Sequence, residues 1–137
     1  YLVVSGVSML FVGKLADRYN KERIMVVGYG LNALCTFGYL FVSTAPQLFI
    51  IQAGLGLATA LATPTWDALF DRYSGDGKGV GRAWGLAEGV PNMITGIAIL
   101  IGGVIVTFAS FTTLFLIMGT IQALATIVQA SITRYRA

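Results

Sequence analysis

Residues 24–66, IMVVGYGLNALCTFGYLFVSTAPQLFIIQAGLGLATALATPTW, form a run of 43 residues without one charged side chain. As a single helix the run would be roughly 65 Å long at about 1.5 Å per residue, whereas one bilayer crossing takes about 20 residues. It therefore reads as two crossings, with the break at Ser43-Thr44-Ala45-Pro46-Gln47, where a proline interrupts the helical pattern. The pattern recurs from Gly89 to Thr133, again without a charge, with a break near Ala109-Ser110-Phe111-Thr112. Each run is a helical hairpin. The predicted spans are 24–43, 48–70, 83–108 and 112–132, preceded by an apolar run at 1–12 that reads as the end of a truncated span. The fold class expected for residues 1–137 is an all-α, polytopic transmembrane helical bundle of about five spans, one partial domain.

Composition says the same. The 137 residues are 56% hydrophobic and only 11% charged, with a mean hydropathy of +0.79. Soluble domains carry roughly a quarter charged residues, so the solvent of this chain is lipid. Its charges fall between the hairpins: Lys14, Asp17, Arg18, Lys21, Glu22 and Arg23; then Asp67, Asp71, Arg72, Asp76, Lys78, Arg82 and Glu88; then Arg134 and Arg136. All nine basic residues lie on one side of the predicted layout, which the positive-inside rule makes cytoplasmic. They form no stripe of the kind nucleic acid requires, and no nucleic-acid partner is expected. With one cysteine, Cys35, and no histidine, the chain has no intrachain disulfide framework, no ordinary Cys/His metal set and no imidazole for acid–base catalysis. No enzymatic activity, metal or cofactor is expected. The first residue is Tyr1, with no basic segment before the apolar run, so the start is not a signal peptide and the expected context is a longer protein.

Smaller features have mostly structural readings. Trp66, Phe70, Tyr73 and Trp84 flank the second charged connector, where aromatic anchors of a membrane interface would sit. The connector Ser74-Gly75-Asp76-Gly77-Lys78-Gly79-Val80-Gly81 lacks the strand and the GK[ST] ending of a phosphate-binding loop and reads as a flexible link. Gly54, Ala58 and Ala62 recur every four residues, as do Gly85 and Gly89, and such stripes let helices approach closely in lipid.

Gly13-Lys14-Leu15-Ala16-Asp17-Arg18-Tyr19-Asn20-Lys21-Glu22-Arg23, between two spans on the basic side, resembles the signature loop of the major facilitator superfamily, G-x-L-A-D-R-x-G-R-[RK]. Gly13, Leu15, Ala16, Asp17 and Arg18 match, Lys21 takes a basic position, Asn20 replaces the second glycine in what the pattern makes a tight turn with positive φ, and Glu22 departs from the final basic position. The layout of hairpin, charged connector, hairpin and basic end corresponds to the last five helices of a six-helix half. Two elements of first halves are missing: Gln52 stands near the place of an arginine in the fourth helix, and Ala98-Ile99 where the antiporter pattern has Gly-Pro, although Gly102-Gly103 is kept. Their absence favours a second half, and the well-kept loop favours a first.

The resemblance implies a secondary transporter that moves a small solute by alternating access, with the lipid bilayer, the missing half of the transporter and a coupling proton or cation as partners, in the cell membrane. It implies a gating role for Gly13, Asp17, Arg18 and Lys21, with Asp67 or Asp71 as the acidic partner across the helix ends. A solute pathway is expected along the span from Leu48, at Gln52, Thr59 and Thr63, and at Glu88 and Asn92 in the next. Asn92 lies four residues after Glu88, on the same helix face, and Glu88 is costly in lipid unless it is protonated, paired or functional. The alternative is a non-transporting scaffold or assembly subunit; a scaffold has no need for polar residues inside its spans, and here Asn32, Gln52, Thr59, Thr63, Asn92, Thr95, Gln122 and Gln129 are present. The 137 residues alone are not expected to transport, since the opening run covers only about 18 Å of a roughly 30 Å hydrocarbon core.

The charge distribution generates a topology prediction. In a background lacking Cys35, single cysteines at Ala45 and Ser110 should react with an impermeant thiol reagent from outside the cell, and one at Gly77 should not. Labelling of Gly77→Cys from outside with Ala45→Cys protected inverts the topology.

Overall fold

The computed structural model describes the backbone of residues 1–74 and 79–135, and the side chains of these except at 15–18, 73–74 and 134–135. Among the described residues are five α-helices in sequence: α1 (Leu2–Arg18), α2 (Lys21–Gly38), α3 (Ala45–Ser74), α4 (Val80–Phe108) and α5 (Phe111–Tyr135), with a short 3-10 turn at Tyr39–Phe41 after α2. No strand occurs among the described residues. Four segments are long and apolar enough to cross a membrane, Lys21–Phe41, Ala45–Arg72, Val80–Phe108 and Phe111–Thr133, and the apolar part of α1, Leu2–Lys14, is shorter. The architecture is the all-α membrane bundle that the two uncharged runs imply.

The helix ends differ from expectation in instructive ways. Gly13 to Arg18 are not a loop: they form the last turns of α1, where Leu15, Ala16 and Arg18 are strong helix formers. Only Tyr19 and Asn20 connect α1 to α2. Asn20 does not adopt the positive φ expected of it; at φ −64° and ψ 112° it caps α2, its side-chain oxygen accepting the Arg23 N–H at 3.1 Å. Pro46, expected as a break, lies in the first turn of α3, where its missing N–H has no intrahelical acceptor to lose. There the Gln47 side-chain oxygen accepts the backbone N–H groups of Ser43 (2.8 Å) and Thr44 (3.1 Å), the returning half of a capping box. At α4 the chain enters through Gly79 at φ +107°, a left-handed conformation that costs glycine little. Ser110 starts α5, its hydroxyl oxygen accepting the Thr113 N–H at 3.1 Å. The glycine-rich connector at 75–78 and Arg136 lie outside the described residues.

α3 is the centre of the bundle. It packs against α2 along one face and α1 along another, α2 in turn packs against α5, and α4 packs against α5. The small-residue stripe of α3 is what permits the first of these contacts. A Cβ placed on Gly28 of α2 would lie 2.9 Å from both the Ala58 carbonyl oxygen and the Ala62 nitrogen, and one on Gly54 would lie 2.6 Å from the Cys35 sulfur. On the other face of α3, a Cβ on Gly56 would be 2.7 Å from the Tyr1 carbonyl oxygen. The second stripe does not follow the same logic: nothing lies within 4 Å of a Cβ on Gly85 or Gly89, so that face of α4 is open rather than packed. Residues 90–101 of α4 are exposed throughout. Such exposed apolar surface, on Met93, Ile97 and Leu100 among others, belongs against lipid or further helices.

The tight α2–α3 crossing sets a stability prediction. Gly28→Val should destabilise the bundle by about 1–3 kcal/mol, the usual range for overpacking, because the new methyl groups meet backbone that cannot rotate away. Gly85→Val, in open space, should stay within about 1 kcal/mol, since the helix-propensity difference between the two residues is small. Thermal unfolding of the two variants in the same detergent checks both; equal loss in the two would remove the special status of Gly28.

Candidate functional site

A polar side chain in a membrane helix is stable where it meets another polar group or a wet cavity. The structure gathers several such side chains into two adjoining clefts. The first, of about 380 Å³, lies between α2, α3 and α4 and is lined by Tyr29 and Asn32, by Thr59, Ala62, Thr63, Trp66 and Asp67, and by Ala87, Glu88 and Pro91. The second, of about 510 Å³, involves α1, α2, α3 and α5 and is lined by Tyr1, Thr36, Tyr39, Gln52, Leu55, Phe115 and Met118. Asn32 and Thr59 line both and join them.

Local hydrogen bonds hold the junction. The Tyr1 and Thr59 hydroxyl oxygens are 3.0 Å apart. The Thr36 hydroxyl donates to the Asn32 carbonyl at 2.9 Å and lies 3.5 Å from its side-chain oxygen, which keeps the Asn32 amide beside the cleft wall. Deeper in α3, Pro64 lacks the N–H that the Ala60 carbonyl would accept, and the fully buried Thr65 donates its hydroxyl to the carbonyls of Leu61 (2.7 Å) and Ala62 (2.8 Å).

Trp66, Phe70 and Trp84, expected as interfacial anchors, form one cluster. Trp66 and Phe70 stack at 5.1 Å between ring centroids, and Trp84 from α4 meets Phe70 edge-on at 4.7 Å and Trp66 at 6.4 Å. These rings join the C-terminal end of α3 to the N-terminal end of α4, each contact being worth about 0.5–1.5 kcal/mol beyond burial. Tyr73 is outside the described side chains.

Of the residues expected on a solute pathway, Thr59, Thr63 and Glu88 line the first cleft and Gln52 the second. Asn92 lines neither and lies on the exposed stretch of α4. Asp67, expected in a gating network, lines the first cleft with Glu88, whereas Asp71 is exposed farther along α3. Gly13 lies in α1 with open space beside it, and Lys21 is half-buried in the first turn of α2. The side chains of Asp17 and Arg18 are outside the described residues. Among the other polar residues, Thr95 lies in an apolar groove between α4 and α5, and Gln129 in a small cavity near the end of α5. Asn32, Tyr29 and Trp66 are additions to the expected set. The spacing of Tyr29, Asn32 and Thr36, at i, i+3 and i+7, marks one helix face and carries the signal for α2.

Comparison with known proteins agrees with this architecture. The sequence model of the Major Facilitator Superfamily matches residues 1–135. Among curated proteins, a multi-drug resistance efflux pump PmrA homolog from Lactococcus lactis is 30% identical over 134 residues, covering 88% of this chain and 32% of its own length. An uncharacterized MFS-type transporter from Mycobacterium tuberculosis is 26% identical over 119 residues, covering 85% of this chain and 20% of its own. The chain thus spans about a third and a fifth of the lengths of these relatives. No solved structure matches it significantly.

Proposed function

This chain belongs to the major facilitator superfamily, and we propose that it contributes one wall of the solute pathway in a secondary transporter working by alternating access. The protein is an integral, multi-pass membrane protein. The observation that carries the reading is the convergence of Asn32, Gln52, Thr59, Thr63, Asp67 and Glu88 on two touching clefts inside an otherwise apolar bundle. Packing alone does not call for that arrangement, because each group could have been replaced by an apolar one at lower desolvation cost.

In this reading the solute path runs between Asp67, Glu88 and Thr63 at one end and Asn32, Thr59 and Gln52 at the other. Rigid and mobile parts divide accordingly. α2 and α3 share a tight backbone contact at Gly28, while the aromatic cluster links α4 to α3 through side chains that can separate without breaking helical hydrogen bonds. Pro64 and Pro91 offer places where α3 and α4 bend at modest cost. The gating role of Asp17, Arg18 and Lys21 then consists in steadying one state from the cytoplasmic ends of α1 and α2, with Asp71 as acidic partner. Exposed charge pairs contribute under about 1 kcal/mol, so the network acts only where helix ends close over it. The likeness to a protein named a multi-drug resistance efflux pump extends the reading to export of small organic solutes.

Thiol accessibility tests this. In the complete protein without Cys35, Gln52→Cys and Thr63→Cys should each react with an impermeant maleimide from both faces of the membrane, because the clefts open to either side in turn. Reaction from one face only, under all conditions, contradicts alternating access; reaction from neither contradicts a water-filled pathway.

A further inference from the structure

The aromatic cluster between α3 and α4 borders two cavities, and we infer that it is a gate: the Trp66 ring closes the first cleft toward the end of the bundle that carries the charged connectors, and Trp84 of α4 latches it. The inference rests on reading the first cleft as part of the solute pathway and adds what opens and closes one end of it.

Trp66 is shared between spaces. It lines the first cleft, and together with Phe70 it also lines a separate cavity of about 230 Å³ between α2, α3 and α5. Glu22 in the first turn of α2, and Gln129 and Thr133 near the end of α5, make part of that cavity's wall polar, alongside Met25 and Leu69. These helix ends adjoin the charged connectors. The indole therefore stands between a polar space inside the bundle and a polar space at its end. A ring bordered by two cavities has room to turn, which a ring in a close-packed core lacks.

The other two rings hold it in place. Phe70, one turn farther along α3, stacks on Trp66 at 5.1 Å with the planes 12° apart, and Trp84 meets Phe70 at 4.7 Å and Trp66 at 6.4 Å, both edge-on. Phe70 moves with α3, but Trp84 belongs to α4, so displacing that helix releases the latch. The attachment of α4 suits such a displacement. Trp84 and Ala87 are half-buried on the side of α3, and Gly102, Ile105 and Val106 are half-buried on the side of α5, whereas residues 90–101 between them are exposed. Pro91 stands at the start of that exposed stretch and deprives the Ala87 carbonyl of its helical N–H. A proline between two points of attachment lets residues 80–90 swing while the rest of α4 keeps its place on α5. Ala87 and Glu88 line the first cleft, so the swing that frees Trp66 also widens the cleft.

Thiol reactivity reads the gate in the complete protein lacking Cys35. Thr63→Cys, in the first cleft, is treated with an impermeant maleimide from the side of the charged connectors. Trp84→Leu should raise its rate about tenfold, because two ring contacts of the closed state are lost, and Trp84→Phe should stay within about threefold of the parent, because the edge contact with Phe70 is kept. Gln52→Cys, in the second cleft, should gain no reactivity from the opposite side. A second arm rebuilds the latch with a metal: in a protein carrying Phe70→His and Trp84→His, zinc should slow labelling of Thr63→Cys about tenfold and a chelator should reverse the effect, while zinc changes nothing where these two substitutions are absent. An unchanged rate in folded Trp84→Leu, an equal gain at Gln52→Cys, or no effect of zinc on the protein with Phe70→His and Trp84→His overturns the gate. The zinc comparison is made within one sample, so its outcome does not depend on Trp84→Leu folding. If Thr63→Cys is reached from both faces but is indifferent to residue 84 and to zinc, the gate alone falls; if it is reached from neither face, the pathway and the gate fall together.

Discussion

The close approach of α2 to α3 is the contact on which the rest of the bundle depends. Gly28 lies against the backbone of Ala58 and Ala62, where even one added carbon would come within 2.9 Å of a carbonyl oxygen and an amide nitrogen. In lipid there is no hydrophobic drive between helices, so proximity of this kind, with the dispersion contacts it allows, is what holds them. It also fixes register. Asn32 lies one turn beyond Gly28, and Thr59 and Thr63 directly follow Ala58 and Ala62 in sequence; once Gly28 is seated, the three polar residues share one cleft.

The remaining helices build outward from that pair with decreasing tightness. α1 closes on α3 at Gly56, and the Tyr1 hydroxyl reaches Thr59. α5 closes on α2, where a Cβ on Gly119 would lie 2.7 Å from the Phe37 ring. α4 is different. It shares no comparable glycine contact, its middle is exposed, and rings at its N-terminal end join it to α3. A helix attached by aromatic contacts that are individually modest can shift without dismantling the core, and it carries Glu88 with it. On the proposed reading, that looseness is located where the cleft changes shape.

Much of the fold was legible in the sequence because lipid imposes coarse rules on composition. Two uncharged runs give two hairpins, and the charges between them give the connectors. Helix ends were less legible, since they depend on single side chains: Pro46 breaks a helix in the interior but is tolerated in a first turn, and Asn20 served as a cap rather than as a left-handed turn residue. For the candidate site, Gln52, Thr59, Thr63 and Glu88 stood out as polar residues in apolar surroundings. Their company did not. Placing Asp67 in the cleft with Glu88, or recognising Asn32 as the link between the two cavities, requires the register of α2 on α3 and the position of α4, which no spacing within one helix supplies. Asn92 shows the same limit from the other side, for it shares a helix face with Glu88 yet lies beyond the reach of α3.

If the Gly28 contact sets the cleft, the distance across the cleft must respond to residue 28. The direct measurement is the rate at which a short bifunctional thiol reagent links Asn32→Cys to Thr63→Cys in membranes, in a background lacking Cys35, with glycine or leucine at position 28. Rapid linking with Gly28 and a slowing of about tenfold or more with Gly28→Leu is the expected result, because a forced separation of helices lowers the effective concentration of the pair steeply. The same rate with either residue, while both proteins remain folded in the membrane, would show that the cleft is not built on this contact.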